Sequence, residues 1–268
     1  MKAVELAPRF KRARVVLSRK GGKYAYRLVR GTDVPKLVAL SNLPNLVQAS
    51  HPMKWPESCA ATPPDDARFF KYVKDQLGTP VILRMPKYDG NVSEVFFSAG
   101  SGMDSAQLTT MCFHVSAGLR HLHGQNVAHG DINPMNILVK LEPLTFVITQ
   151  PKTIMELDHY KPTPKHKQYI APEYWQEEEC RPELMDVWSF GVTMYACALQ
   201  YPPWEKADED EDEHFKNFKE NHTIESIPIA GPCGFVKLLL GAMHIYPDDR
   251  MRMAFLHDML GSLARLPD

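Results

Sequence analysis

The 268-residue chain is short of several things that would each point to a class of function. No apolar run approaches the roughly 18 residues needed to cross a bilayer. The start, Met1-Lys2 running into Lys11-Arg12-Ala13-Arg14, has no apolar core of a secretory leader. There are five cysteines, Cys59, Cys112, Cys180, Cys197 and Cys233, with no C-x-x-C spacing among them. That argues against a zinc site or a disulfide framework and for reduced thiols in a cytoplasmic or nuclear setting. Residues 1–16 contain no glycine, so no glycine-rich loop there can bring backbone amides close to a phosphate. Net charge is nearly absent too, at −1, with 44% apolar and 24% charged residues, the composition of an ordinary globular core.

The balance hides a local asymmetry. Residues 1–36 hold eleven Lys or Arg against Glu5 and Asp33, whereas Asp208 to Glu213 are all acidic. Either run can be a solvated face or a patch that steers a partner. The basic residues are not interleaved with aromatics in a recognition pattern, so nucleic acid is not an expected partner.

Hydrophobic periodicity divides the chain. Residues 14–30 alternate in strand fashion around Lys20-Gly21-Gly22-Lys23, which predicts a hairpin. A helix is predicted over 34–48, an irregular loop over the proline-containing stretch 52–66, and strands at Phe69–Val73 and Pro80–Met85. Beyond Met85 the period becomes helical. Leu108, Met111, Cys112, Val115, Leu119 and Leu122 recur at three- and four-residue spacing, which predicts a buried amphipathic helix over 105–123. Further helices are predicted near 184–200, 234–244 and 252–265. A strand-rich first third and a helical remainder, joined near residues 86–91, describe two lobes.

His129-Gly130-Asp131-Ile132-Asn133-Pro134-Met135-Asn136, followed by Ile137-Leu138, resembles the kinase catalytic loop H-R-D-x-x-x-x-N. The same fragment also occurs in small-molecule phosphotransferases of the aminoglycoside and choline kinase type. Three later segments separate the two. Ala171-Pro172-Glu173 is similar to the A-P-E that ends the protein-kinase activation segment. Asp186-Val187-Trp188-Ser189-Phe190-Gly191 is similar to D-x-W-S-x-G, with Pro202-Pro203-Trp204 after it. Tyr246-Pro247-Asp248-Asp249-Arg250 is similar to the segment whose Arg meets the A-P-E Glu. In order and spacing the chain resembles a eukaryotic-type protein kinase over about residues 14–265.

The resemblance implies an α+β, two-lobed kinase-like fold within one domain, residues 1–268. A reduced antiparallel-sheet small lobe would occupy 1–88 and a helical large lobe 89–268. It also implies that Glu173 and Arg250 form a buried ion pair, and that Asp186 holds backbone amides of the catalytic loop. The parts that grip nucleotide and metal are degraded. Arg27 stands where the phosphate-contacting lysine belongs, and an arginine does not reproduce a compact ammonium. Its acidic partner has no candidate, since Val34–Gln48 contains no Asp or Glu. After the strand Phe146-Val147-Ile148-Thr149, Gln150-Pro151-Lys152 replaces D-F-G, and no carboxylate lies between Glu142 and Glu156. Asn133 replaces the loop lysine. Gly130 replaces the arginine that reads activation-segment phosphorylation, so a phosphate on Thr153, Tyr160 or Thr163 would lack its usual receptor.

Asp131 and Asn136 survive. They are either a residual base and one metal ligand, or vestiges that hydrogen-bond within their own loop. The expected function is therefore that of a pseudokinase, an inactive domain that works by binding another protein, an active kinase among the candidates. ATP or magnesium enters only under the alternative of an atypical Ser/Thr kinase using Asp131 and Asn136. The expected docking surfaces are 205–220, with Phe215 and Phe218, and the basic stretch 9–30. No membrane partner is expected.

Overall fold

The structure is a computed structural model, and it describes residues 16–18, 24–30, 45, 50–54, 80–98, 100, 102–149, 166–175, 180–221 and 233–263. The chain divides into two compact units, Met1–Lys87 and Tyr88–Asp268.

In the first unit, β1 (Val16–Ser18) and β2 (Tyr24–Arg30) pair antiparallel, with Leu17 opposite Tyr26. This is the hairpin announced by the Gly21-Gly22 turn signal. Strand β2 pairs along its whole length with β4 (Pro80–Pro86), and β4 pairs in turn with β3 (Ser50–Lys54). The resulting antiparallel sheet has the order β1-β2-β4-β3. Strand β3 corrects the sequence reading, which ran a helix to residue 48 and a loop from Pro52. Pro52 cannot donate to a ladder. The register slips between Ser50 and Met53, and among the described residues β3 is an edge strand, the position where a sheet tolerates proline and a bulge. The predicted helix at 34–48, except for Asn45, and the predicted strand at 69–73 lie outside the described residues.

In the second unit, α1 (Ser105–His123) matches its predicted span. A capping box starts it: the Asp104 carboxylate accepts from Gln107 N–H at 2.7 Å, and the Gln107 side chain accepts from Asp104 N–H at 3.1 Å. Of the residues that carried the period, Met111, Cys112, Val115, Leu119 and Leu122 are fully buried and Leu108 is half-buried. A small antiparallel sheet of β5 (Gly90–Asn91), β6 (Ile137–Lys140) and β7 (Thr145–Ile148) lies in that order, with β7 packed on α1. The other helices are the single turn α2 (Pro172–Trp175), then α3 (Pro182–Leu199), α4 (Glu213–Asn221), α5 (Cys233–Ala242) and α6 (Met253–Leu263).

Helix α3 is the core of this unit. It is apolar on nearly all sides and buried from Leu184 to Val187 and from Phe190 to Cys197, as a helix enclosed by neighbours must be. Gly191 lets α5 close on it, because a Cβ there would stand 2.6 Å from Met243 Cγ and 3.0 Å from Ala242 Cβ. Trp188 extends the core outward by stacking on Trp204 at 5.6 Å, and Phe215 and Phe218 of α4 pack edgewise on both indoles or tilted against them.

Candidate functional site

The loop between α1 and β6 is held from beneath by one carboxylate. Asp186, on α3 and 1% exposed, accepts from the backbone N–H of His129 at 2.7 Å and of Gly130 at 2.8 Å. It also accepts from His123 Nε2 at 3.0 Å, at the C-terminal end of α1. Two consecutive amides can face one carboxylate only if the chain bends sharply there, and Gly130 has φ of +72°. A side chain at that position would be strained.

The imidazole of His129 is buried and fixes the opposite side of the loop. Asp131 N–H donates to its Nδ1 at 3.3 Å, so the ring proton sits on Nε2 and is donated to the Thr149 carbonyl at 2.9 Å. Thr149 N–H donates to the Asn136 carbonyl at 2.9 Å. The end of β7 is thereby tied to both ends of the loop.

Both oxygens of the Asp131 carboxylate receive side-chain amides from within the loop. Asn136 Nδ2 donates to Oδ2 at 2.7 Å and to the Asp131 carbonyl at 2.7 Å. Asn133 Nδ2 donates to Oδ1 at 3.2 Å and to the same carbonyl at 3.0 Å. Asn133 is fully buried, and its side-chain Oδ1 accepts from Met135 N–H at 3.0 Å, opening the tight turn Pro134–Asn136. The loop is cross-braced by neutral donors of its own sequence.

A second support lies behind. Arg250 and Glu173 meet in a bidentate pair, Nη1 to Oε1 at 2.7 Å and Nη2 to Oε2 at 3.0 Å, with side chains 0% and 1% exposed. The remaining arginine protons go to the carbonyls of Leu184 at 2.9 Å, His244 at 3.0 Å and Ile245 at 3.3 Å. All five guanidinium donors are used, which a buried arginine requires. The guanidinium also lies 5.1 Å from the Trp188 ring centre.

The protein kinase domain family matches residues 79–253 of this chain. The chain belongs to the protein kinase family. It is 30% identical over 102 residues to MAP kinase-activated protein kinase 2 of Oryctolagus cuniculus, covering 34% of this chain and 26% of that protein. It is 29% identical over 147 residues to serine/threonine-protein kinase D2 of Rattus norvegicus, covering 51% of this chain and 16% of that one. Sporulation-specific protein 1 of Saccharomyces cerevisiae is 28% identical over 119 residues, covering 40% and 23%. These matches span about a sixth to a quarter of the relatives' length.

Among the kinase positions singled out in the sequence, Asp131, Asn136 and Asp186 come together around the loop, and Glu173 and Arg250 pair behind it. Arg27 lies on β2 in the first unit, opposite Val16 and Leu83. Gln150 and the modifiable Thr153, Tyr160 and Thr163 lie outside the described residues. Sequence reasoning missed the bracing by Asn133, which it read only as a lost lysine. Asparagine before Pro134 was the available signal, since Asn readily caps a turn.

The acidic stretch is less open than its composition suggests. Asp212 caps α4 by accepting from His214 N–H and Phe215 N–H, and also takes Glu205 N–H at 2.8 Å. Lys206 sits between Asp208 at 2.7 Å and Glu211 at 2.6 Å and lies 4.4 Å from the Trp175 ring centre. The Lys206 ammonium holds the Asp208 carboxyl below its ordinary value. Lys219 pairs with Glu209 at 2.7 Å. Four of the six acids are therefore committed locally, while Glu213 remains 89% exposed. Among the described residues no helix is long and apolar enough to cross a membrane.

Proposed function

We propose that this kinase-family chain is a pseudokinase, which binds another protein as a scaffold, decoy or allosteric regulator and transfers no phosphoryl group. Phosphoryl transfer depends almost wholly on positioning and on neutralising polyphosphate charge. The observation that carries the reading is the state of the catalytic loop. Asn133 stands where the family has a cation, and its amide, with that of Asn136, engages both oxygens of Asp131. The sequence adds that residues 143–155 contain no Asp or Glu to serve as the second metal ligand. Meanwhile the supports that maintain the fold, Asp186 and the Glu173–Arg250 pair, are fully satisfied. A degraded grip on a well-kept scaffold suits a surface that binds rather than a site that turns over.

The partner expected is a protein, with an active signalling kinase as the first candidate. The surfaces to test are the basic stretch 9–30 and the region 205–220, without Phe215 and Phe218, which were expected on that surface but are buried against Trp188 and Trp204. No metal or nucleotide is required by this reading. An atypical Ser/Thr kinase is the second reading, favoured by two facts: the matched relatives include kinases, and Asp131 and Asn136 keep the family's order. Radiolabelled phosphotransfer with magnesium and with manganese separates the two. The pseudokinase reading expects no transfer above that of Asp131→Ala. Transfer to protein or to the chain itself that vanishes in Asp131→Ala would refute it.

A further inference from the structure

Among the described residues strand β7 forms an edge of its sheet, and it is seated on α1 through a histidine. The backbone N–H of Phe146 donates to Nδ1 of His114 at 3.2 Å. A backbone amide can only donate, so Nδ1 must carry a lone pair and the ring must be neutral with its proton on Nε2. A proton placed on Nδ1 turns the acceptor into a donor facing another donor, and the contact is lost.

The surroundings favour the neutral ring. His114 is half-buried, with the ring centres of Phe113 and Phe146 each 6.3 Å away and Phe96 6.2 Å from Phe146. Burial alone holds its pKa below the ordinary histidine value of 6.5. Strand β7 contributes no titratable side chain. Helix α6 brings His257 and Asp258, with His257 stacked on Phe113 at 4.6 Å. On α1 itself, Arg120, His121 and His123 lie at the C-terminal end, and on α3 the acid of the loop system, Asp186, is engaged with His123.

What β7 carries makes the contact consequential. The strand ends at Ile148, and Thr149 follows at once, accepting from His129 Nε2 and donating to the Asn136 carbonyl. The seat of β7 and the bracing of the loop are joined through the strand backbone from Phe146 to Thr149.

We propose that His114 is an acid-sensitive clasp: its neutral ring seats β7, and a proton on it releases that strand and, through Thr149, slackens the loop 129–136. The histidine therefore gives this chain a proton-dependent control over the loop that does not involve the activation segment. The test is hydrogen exchange of the full-length chain between pH 7.5 and pH 5.5, expressed as protection factors so that intrinsic chemistry cancels. Peptides covering 145–149 should lose about tenfold in protection in the wild type, as loss of one hydrogen bond implies. His114→Gln, whose side-chain oxygen accepts without titrating, should lose several-fold less over the same range. Unchanged wild-type protection, or an equal loss in His114→Gln, would overturn the proposal. Should that variant not fold, NMR on the wild type decides instead. The Phe146 amide shift must titrate together with the His114 ring, and a ring that titrates alone refutes the clasp.

Discussion

Removing one partner of the Glu173–Arg250 pair tests the scaffold half of the account. In Glu173→Ala the guanidinium keeps three carbonyl acceptors, from Leu184, His244 and Ile245, but loses both carboxylate bonds and its counter-charge. With both side chains essentially inaccessible to water, solvent cannot replace the carboxylate, and breaking such a pair costs about 3–5 kcal/mol. That is a large part of the roughly 5–15 kcal/mol by which a domain is stable. At about 2–4 °C per kcal/mol for a chain of this size, the melting temperature should fall by roughly 6–20 °C. Arg250→Met should cost at least as much, because it strands three buried carbonyls as well as the Glu173 carboxylate. Urea unfolding followed by tryptophan fluorescence and circular dichroism gives the measurement, with coincident transitions and an unchanged slope as the check for two-state behaviour. A loss below about 1 kcal/mol in Glu173→Ala would refute the reasoning, since only a surface pair is that weak.

Other outcomes follow from single contacts. Asp186→Asn replaces one of two acceptors facing the His129 and Gly130 amides with a donor, and urea unfolding should show a loss of about 2–3 kcal/mol. Gly130→Ala places a Cβ at φ +72° and should cost about 1 kcal/mol in the same assay, with the loss of exchange protection confined to residues 128–137. Gly191→Ala should destabilise by about 1–3 kcal/mol through overpacking against Met243 and Ala242, read as a lower urea midpoint. His257 is held below its ordinary value chiefly by burial and secondarily by Arg120. The unfolded chain therefore binds more protons below about pH 6.5, so stability is complete above that pH and falls as pH drops toward the folded value. His257→Gln should lose less of its urea midpoint than the wild type between pH 7 and pH 5.

The parts of the fold that showed in the sequence are those governed by local period or by a fixed recognition pattern. Leu108 to Leu122 announced α1 because every third or fourth residue faces the core, and Gly21-Gly22 announced the β1–β2 hairpin. Strand β3 did not show, because Pro52 is a strand breaker unless an edge position and a register slip accommodate it, and neither is visible in one dimension. The acidic run 208–213 looked like an open patch. Its actual use depends on Lys206 and Lys219, and on an α4 N-terminus that needs Asp212 as a cap. At the site, Glu173, Asp186 and Arg250 could be located by motif, together with the ion pair and the loop amides they hold, but their further partners could not: the carbonyls on Arg250 and the His123 contact to Asp186 exist only in three dimensions. Gly130 and Asn133 read as losses of charge. The structure adds what they supply, a left-handed bend and a buried brace. His114 carried no signal at all, since a histidine on a helix says nothing about which strand will offer it an amide.

Polyphosphate binding is read by a thermal-shift titration of the full chain with ATP, with and without magnesium. No magnesium-dependent rise in melting temperature is expected at millimolar nucleotide. A genuine site filled to a hundred times its dissociation constant would add about 2.7 kcal/mol of stability, a rise of roughly 5–10 °C at this chain length. A rise of that size, requiring the metal and abolished by Asn136→Ala, would contradict the account.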